Sequence, residues 1–229
     1  VKSNNNSSTV PWKGVADAIA KKRDAVVPNR AVLIGISGID ASGKGFITAK
    51  LVERLLDSGW NTAAISADDW LNLRHVCVNP NNYAEHFYQH AIRFDEMFER
   101  LILPLKQSRE ISITADCADA KATTFRKHHY EFRNIDIVLL EGIFLFKPGC
   151  RGHFDLKIWI ECSFESALQR AIARGQEGLP PTETITAFET IFFPAQRIHL
   201  AKDSPREAAD IIFANEAVAA SLCEAQLKM

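Results

Sequence analysis

The chain has 229 residues, a formal net charge of -1 and 47% hydrophobic residues. That length suits one domain with room for a small lobe, and the apolar content supplies a real core, which excludes a disordered chain. The near-neutral charge argues against a protein whose main business is holding nucleic acid, and the longest apolar run, Ile135 to Phe146, is broken by Asp136 and Glu141, so no membrane span is expected.

Val1 to Thr9 is polar, reads as an end without fixed structure and carries no signal-peptide pattern. Val15, Ala18, Ile19 and Lys22 fall at helical spacing and predict a helix over Trp12 to Ala25, ended by Pro28-Asn29. Residues 1–30 are thus a tail and helix ahead of a main domain over 31–229. A strand is expected over Ala31 to Ile36. A helix follows, with Ile47, Leu51, Leu55 and Leu56 on one face, and stops near Ser58-Gly59. Asn61 to Ser66 reads as a second strand and Phe94 to Lys106 as an amphipathic helix with Pro104 near its end. Ile111 to Thr114 and Thr123 to Phe132 alternate as a hairpin or small lobe would. Ile135 to Leu140 and Leu156 to Ile160 have the near-continuous apolar character of buried parallel strands. Glu165 to Arg174 reads as a helix and Asp210 to Phe213 as the last strand. Strands alternating with helices predict an α/β fold, a doubly wound parallel sheet with ligands at the carboxyl ends of its strands. Five cysteines (Cys77, Cys117, Cys150, Cys162, Cys223) form no C-x-x-C pair, as expected for reduced thiols in a cytoplasmic protein.

The most informative stretch is Gly38-Ile39-Asp40-Ala41-Ser42-Gly43-Lys44-Gly45, between the first strand and the helix that Phe46 enters. Strand, glycine loop, Gly-Lys and helix form the layout of a phosphate-binding P-loop. Glycines let backbone N–H groups converge on phosphates, and the helix points its positive end at them. Lys44 supplies a mobile point charge. A glycine turn of ordinary kind is the plainer reading, and one position breaks the pattern: Gly45 stands where Ser or Thr would offer Mg²⁺ a hydroxyl.

Asp68 and Asp69 follow the second strand, where a carboxylate can accept a proton from a substrate hydroxyl or help hold Mg²⁺; an Asp before Trp70-Leu71 can also cap a turn. Glu141 ends a buried apolar strand, an expensive place for an acid unless something uses it. Without a hydroxyl at position 45, Asp68, Asp69 and Glu141 are the residues left to hold the metal. Arg170 and Arg174 lie one helical turn apart before Gly175-Gln176-Glu177-Gly178-Leu179-Pro180-Pro181, a Gly/Pro-bounded segment that reads as a lid over about 175–184; a solvated helix face is the alternative. Arg197 and Lys202 are weaker candidates. His128-His129 lack partners at metal-ligand spacing. Tyr83, Phe87, Tyr88 and Phe94 fit either a pocket lining or helix core.

These features together resemble the phosphoribulokinase/uridine kinase family of P-loop kinases, its uridine-kinase-like branch most closely. The resemblance runs through Ile34 to Lys44, Ile65 to Trp70, Asp136 to Gly142, Phe154 to Ile160, Leu168 to Arg174, Phe193 to Arg197 and Ala209 to Asn215, in that order. It implies a nucleoside-kinase-like fold and transfer of the γ-phosphate of ATP (or GTP) to a hydroxyl of a small molecule, with Mg²⁺. Carried over, Lys44 binds phosphate, Asp68 activates the hydroxyl, Glu141 is the strand-end acid, Arg170 and Arg174 are lid arginines, and Asp210 to Asn215 lies near the adenine. Uridine or cytidine is the default acceptor; pantothenate, a riboside, a sugar or glycerate stay open, because no clear uridine-recognition stretch occurs between Tyr83 and Tyr130. No nucleic-acid or membrane partner is expected, and a homo-oligomer is compatible with the sequence. Gly45 motivates one other reading, a nucleotide-binding protein of this fold with little or no catalysis.

Overall fold

The computed structural model describes residues 12–215 apart from 78, 80, 120–121 and 176–178. The polar stretch Val1 to Thr9, Cys223 and the middle of the expected lid, Gln176-Glu177-Gly178, lie outside the described residues.

Helix α1 (Trp12–Asp24) leads into β1 (Val32–Gly38), the glycine loop and α2 (Lys44–Asp57). Strands β2 (Thr62–Ser66), β3 (Ile111–Cys117), β4 (Arg126–Phe132), β5 (Ile137–Gly142), β6 (Leu156–Glu161) and β7 (Ile211–Ala214) follow. Five of them form one sheet in the order β2-β5-β1-β6-β7. Every pairing in it is parallel. β3 and β4 form a separate antiparallel hairpin, as their alternation predicts.

The sheet is covered on both faces because β1 is buried at every position and β5 at all but Glu141. Val32, Ile34 and Ile36 of β1, with Ile137, Leu139, Ile158 and Ile160, pack on α1 and α2 through Val15, Ile19, Ile47, Leu51 and Leu55. The expected partner Leu56 is instead 50% exposed. The stripe 47, 51, 55 advances four residues at a time and leaves position 56 about 100° off it. Leu33, Val138, Leu140 and Trp159 face the other layer, where Leu101, Ile102, Phe146 and Phe154 lie. Gly35 points at this layer, and a Cβ there would sit 2.8 Å from Phe154 Cδ1 and 2.9 Å from Phe146 Cε1. The two rings press on bare backbone.

The helix expected over Phe94 to Lys106 is one helical run, Phe94–Met97, Phe98–Ile102 and Leu103–Ser108, whose middle section is π-helical. A second run, Pro181–Ala187, Phe188–Phe192 and Phe193–Asp203, has no counterpart in the sequence reading. Its middle is also π-helical, and as with Pro104, a proline (Pro194) stands two residues after the π section ends. Proline lacks the amide that the α ladder needs, and the wider turn lies where that bond is missing. Phe87 and Tyr88 are buried on the helix Tyr83–His90 and meet Phe144 edge-on, so these two of the four aromatics are core, Phe94 is partly buried and Tyr83 is exposed.

Asp155 ties the start of β1 to its surroundings. Arg30 grips it through both Nη atoms at 2.8 and 2.9 Å, Leu33 N–H donates at 2.9 Å, and Lys106 lies at 3.2 Å. Burial pushes the carboxyl pKa up, but the Arg30 bonds, the Leu33 amide and Lys106 outweigh it and leave the value below the ordinary 3.8. A carboxyl depressed in the folded state stabilises the protein fully above its unfolded value. That contribution fades as pH falls through the folded one. Stability should therefore drop below about pH 4, and Asp155→Asn should flatten the acid limb. Urea midpoints from pH 7 to pH 3 check this.

Candidate active site

Register alone brings the expected residues to one edge. Ser37 pairs with Gly142, Ile36 and Ser66 each pair with Glu141, and Gly38 pairs with Ile160. The carboxyl ends of β1, β2, β5 and β6 are thereby level. The glycine loop, the Ser66-Asp69 turn, Glu141 and Cys162 leave the sheet side by side.

The loop runs from Gly38 into α2. Ala41 and Gly43 both hold positive φ, at 56° and 92°. Gly43 is the N-cap residue of α2 and makes no side-chain cap bond, so no side chain of the cap competes for the first-turn amides. A helix start of this kind favours an anion. Asn215 Nδ2 occupies the space where a Cβ on Gly43 would stand, which together with the left-handed backbone requires glycine here. Lys44 is buried and folds its Nζ back over the loop onto Ile39 O at 2.9 Å. Gly45 has nothing within 4 Å of its missing Cβ, and the neighbouring Phe46 is exposed.

Two carboxylates face this loop. Ser66 Oγ donates to Glu141 Oε1 at 2.6 Å and accepts the Asp68 N–H at 3.3 Å. Ser66 is thus the cap of the Ala67–Asp69 turn, which frees both Asp side chains from that role. Gly142 sits so close to Ala67 that a Cβ would lie 2.5 Å from the alanine Cβ, and this contact fixes Glu141 against the turn. The Asp68 side chain is exposed at this edge of the sheet, with protein atoms crowded around it. Desolvation raises its pKa, and Lys44 and Arg174 work against the shift. Glu141 is also raised, by burial first and then by Asp68, with Lys44 and the Ser66 bond opposing.

Asp69 turns away. Its carboxylate pairs with Arg126 of the hairpin at 3.3 Å, and its carbonyl takes the Ala118 N–H at 3.2 Å. The expected trio of metal-holding carboxylates is therefore not assembled: no group of three or more His, Cys, Asp or Glu that could hold a metal ion occurs among the described residues. Both Asp residues sit in the turn after β2, and the pairing with Arg126 draws the Asp69 carboxylate toward the hairpin. Asp68 and Glu141 remain. Two carboxylates fit a Mg²⁺ ion, which takes few protein ligands and fills its shell with phosphate oxygens and water.

Arg170, expected as a lid arginine, lies inside the site wall. Its Nη1 donates to Ser42 O at 3.1 Å and to Cys162 Sγ at 3.2 Å, and its Nη2 donates to Asn215 O. Asn215, expected near an adenine, spends its Nδ2 on the same Ser42 carbonyl at 2.7 Å and is 2% exposed. Arg174 is close enough to Asp68 to favour its ionised form. Arg197 stacks over Phe164 at 4.4 Å and Lys202 pairs with Glu85 at 2.9 Å. His128 packs against Tyr130, and His129 shares a hydrogen bond with Thr114 Oγ1 at 3.2 Å. Sequence reasoning misses Ser66 and the bond from Gln196 Nε2 to Asp40 Oδ2 at 2.9 Å. A Ser two residues before a strand-end Asp is a readable capping signal; nothing in the sequence marks Gln196.

A parallel sheet whose central strand feeds a glycine loop, a Gly-Lys helix start and two facing acids defines a P-loop kinase acting on a small molecule. The profile of the Phosphoribulokinase / Uridine kinase family matches residues 33–178, and the chain belongs to that family. It is 29% identical over 173 residues to a uridine kinase of Alkaliphilus metalliredigens, covering 73% of this chain and 80% of the relative. It is 27% identical over 189 residues to one of Macrococcus caseolyticus, covering 80% and 88%. Among solved structures, one titled a possible uridine kinase from Bacillus stearothermophilus superposes with a TM-score of 0.68 at 20% identity, over 88% of this chain and 98% of that one. Membership implies binding of a nucleoside triphosphate. No helix among the described residues is long and apolar enough to cross a membrane.

Proposed function

We propose that this chain moves the γ-phosphate of ATP or GTP to a hydroxyl of a nucleoside, uridine or cytidine. The observation that carries the reading is the meeting of Lys44, Asp68 and Glu141 at the mouth of the glycine loop, with Arg174 beside Asp68. The names of the relatives support the choice of acceptor.

Loop amides from Gly38 to Phe46 and the Lys44 ammonium bind the triphosphate. Asp68 accepts the proton of the attacking hydroxyl; its raised pKa makes it a stronger base than an ordinary carboxylate. Arg174 spreads charge developing on the transferred group. Arg170 and Asn215 act at one remove, holding the Ser42 carbonyl so that the second half of the loop keeps its shape. Glu141 and Asp68 would hold Mg²⁺, which when bound neutralises phosphate charge.

Coupled detection of ADP, with ATP and Mg²⁺ against a panel of nucleosides and small alcohols, tests the reading. Release that depends on uridine or cytidine is expected. Release with none of the panel favours the second reading, a binding protein with weak chemistry, for which Gly45 is the specific motive. Gly45→Ser separates the effect of that position. The site has open space for the side chain, and the added hydroxyl should lower the Mg²⁺ concentration for half-maximal rate by about three- to tenfold. An unchanged Mg²⁺ titration would show that the metal is held without position 45.

A further inference from the structure

Gln196 lies on the helix Phe193–Asp203, the last section of the helical run that starts at Pro181. Its side chain is fully buried, and its Nε2 donates to Asp40 Oδ2 at 2.9 Å. Chemistry decides the orientation of this amide. A carboxylate accepts and does not donate, so the nitrogen must face Asp40. Its Oε1 is thereby left inside the protein with no hydrogen-bond partner. An amide used at one end and orphaned at the other is a poor core filler. An apolar side chain of equal length would remove the orphaned oxygen. The amide is explained by what its nitrogen does.

Asp40 lies in the first half of the loop that takes the triphosphate. A carboxylate there repels the phosphates with which it shares the loop. Bonded to Gln196, it has its charge drawn into a hydrogen bond and its rotamer fixed. The second half of the loop is held from elsewhere, by Arg170 and Asn215 on the Ser42 carbonyl. We infer that Gln196 is a positioning residue for the triphosphate: it restrains the Asp40 carboxylate and with it the first half of the loop. It also ties the helix Phe193–Asp203 directly to the phosphate loop. The inference rests on the nucleotide reading above.

The test is calorimetric titration of the full chain with ATP, paired with acceptor kinetics at saturating ATP. Gln196→Glu sets two carboxylates against each other and should raise the ATP Kd about tenfold. Gln196→Met removes the donor together with the orphaned oxygen and should raise it about threefold. The double variant Gln196→Glu/Asp40→Asn restores an amide–carboxylate pair with donor and acceptor exchanged, and its Kd should return to within about threefold of native. A residue that merely filled space would not be rescued by exchanging polarity. The acceptor KM should stay within about twofold in all three. Equal ATP uptake by native, Gln196→Met and Gln196→Glu overturns the inference, as does a double variant no tighter than Gln196→Glu. Should Gln196→Glu fail to fold, Gln196→Met decides alone: an unchanged Kd overturns it. Absence of ATP uptake by the native chain overturns the nucleotide reading and this inference together, whereas native uptake with unaffected variants overturns this inference only.

Discussion

Asp68→Asn is expected to lower kcat by about 10²- to 10⁴-fold while ATP binding stays within about threefold. The substitution keeps the shape of the side chain and the cap bond from Ser66, which reaches the backbone N–H and not the carboxylate. It removes the carboxylate proposed to take the proton. Because burial holds the native Asp68 above the ordinary carboxylate value, kcat/KM should fall as pH drops through that raised value, where the base becomes protonated. In Asp68→Asn this limb should vanish, since no ionisation at position 68 remains. Loss of the negative charge also removes one of the influences that hold Glu141 up. Any residual pH dependence from Glu141 should therefore move to lower pH. Rate measurements from pH 4 to pH 8 on both proteins decide the matter: turnover that survives nearly intact would place the proton acceptor elsewhere.

What makes this prediction available is a feature of parallel sheets. Their strands are apolar throughout, so an acid at a strand end stands out, and register then levels the ends. Asp68 and Glu141 were legible for that reason, as was the loop with its Gly-Lys helix start. The hairpin was legible from alternation. What stayed hidden involves contacts between segments far apart in the chain. Asp69 reads like Asp68 in sequence, and only the approach of Arg126, from a separate hairpin, shows that it faces another way. Arg170 and Arg174 look equivalent one turn apart, yet one is bound to the Ser42 and Asn215 carbonyls and the other lies beside Asp68. The helical run over 181–203 escaped because its prolines, Pro180, Pro181 and Pro194, read as breaks. Pro181 instead starts the helix, where its missing amide is harmless, and Pro194 is accommodated after a π section. Gln196 could not be found because its partner is 156 residues away.

Lys44→Met carries the second large effect. The methionine matches the lysine in length and apolar stem, so the fold should hold, but three things are lost. The phosphate site loses its only loop-borne ammonium. The loop loses the internal bond from Nζ to Ile39 O. Asp68 and Glu141 lose a neighbour that favours their ionised forms. ATP affinity should fall about 10- to 100-fold, and kcat/KM by about 10³-fold. The third loss gives a readout that separates Lys44 from a residue that only shapes the loop. Without the lysine, desolvation acts on Asp68 with only Arg174 left to oppose it, so its value rises further. The acid limb of the rate profile should then shift to higher pH in Lys44→Met, where in Asp68→Asn it disappears. A limb that stays at its native position would mean that the ammonium does not act on Asp68 in the working enzyme. Lys44 would then serve the phosphates alone.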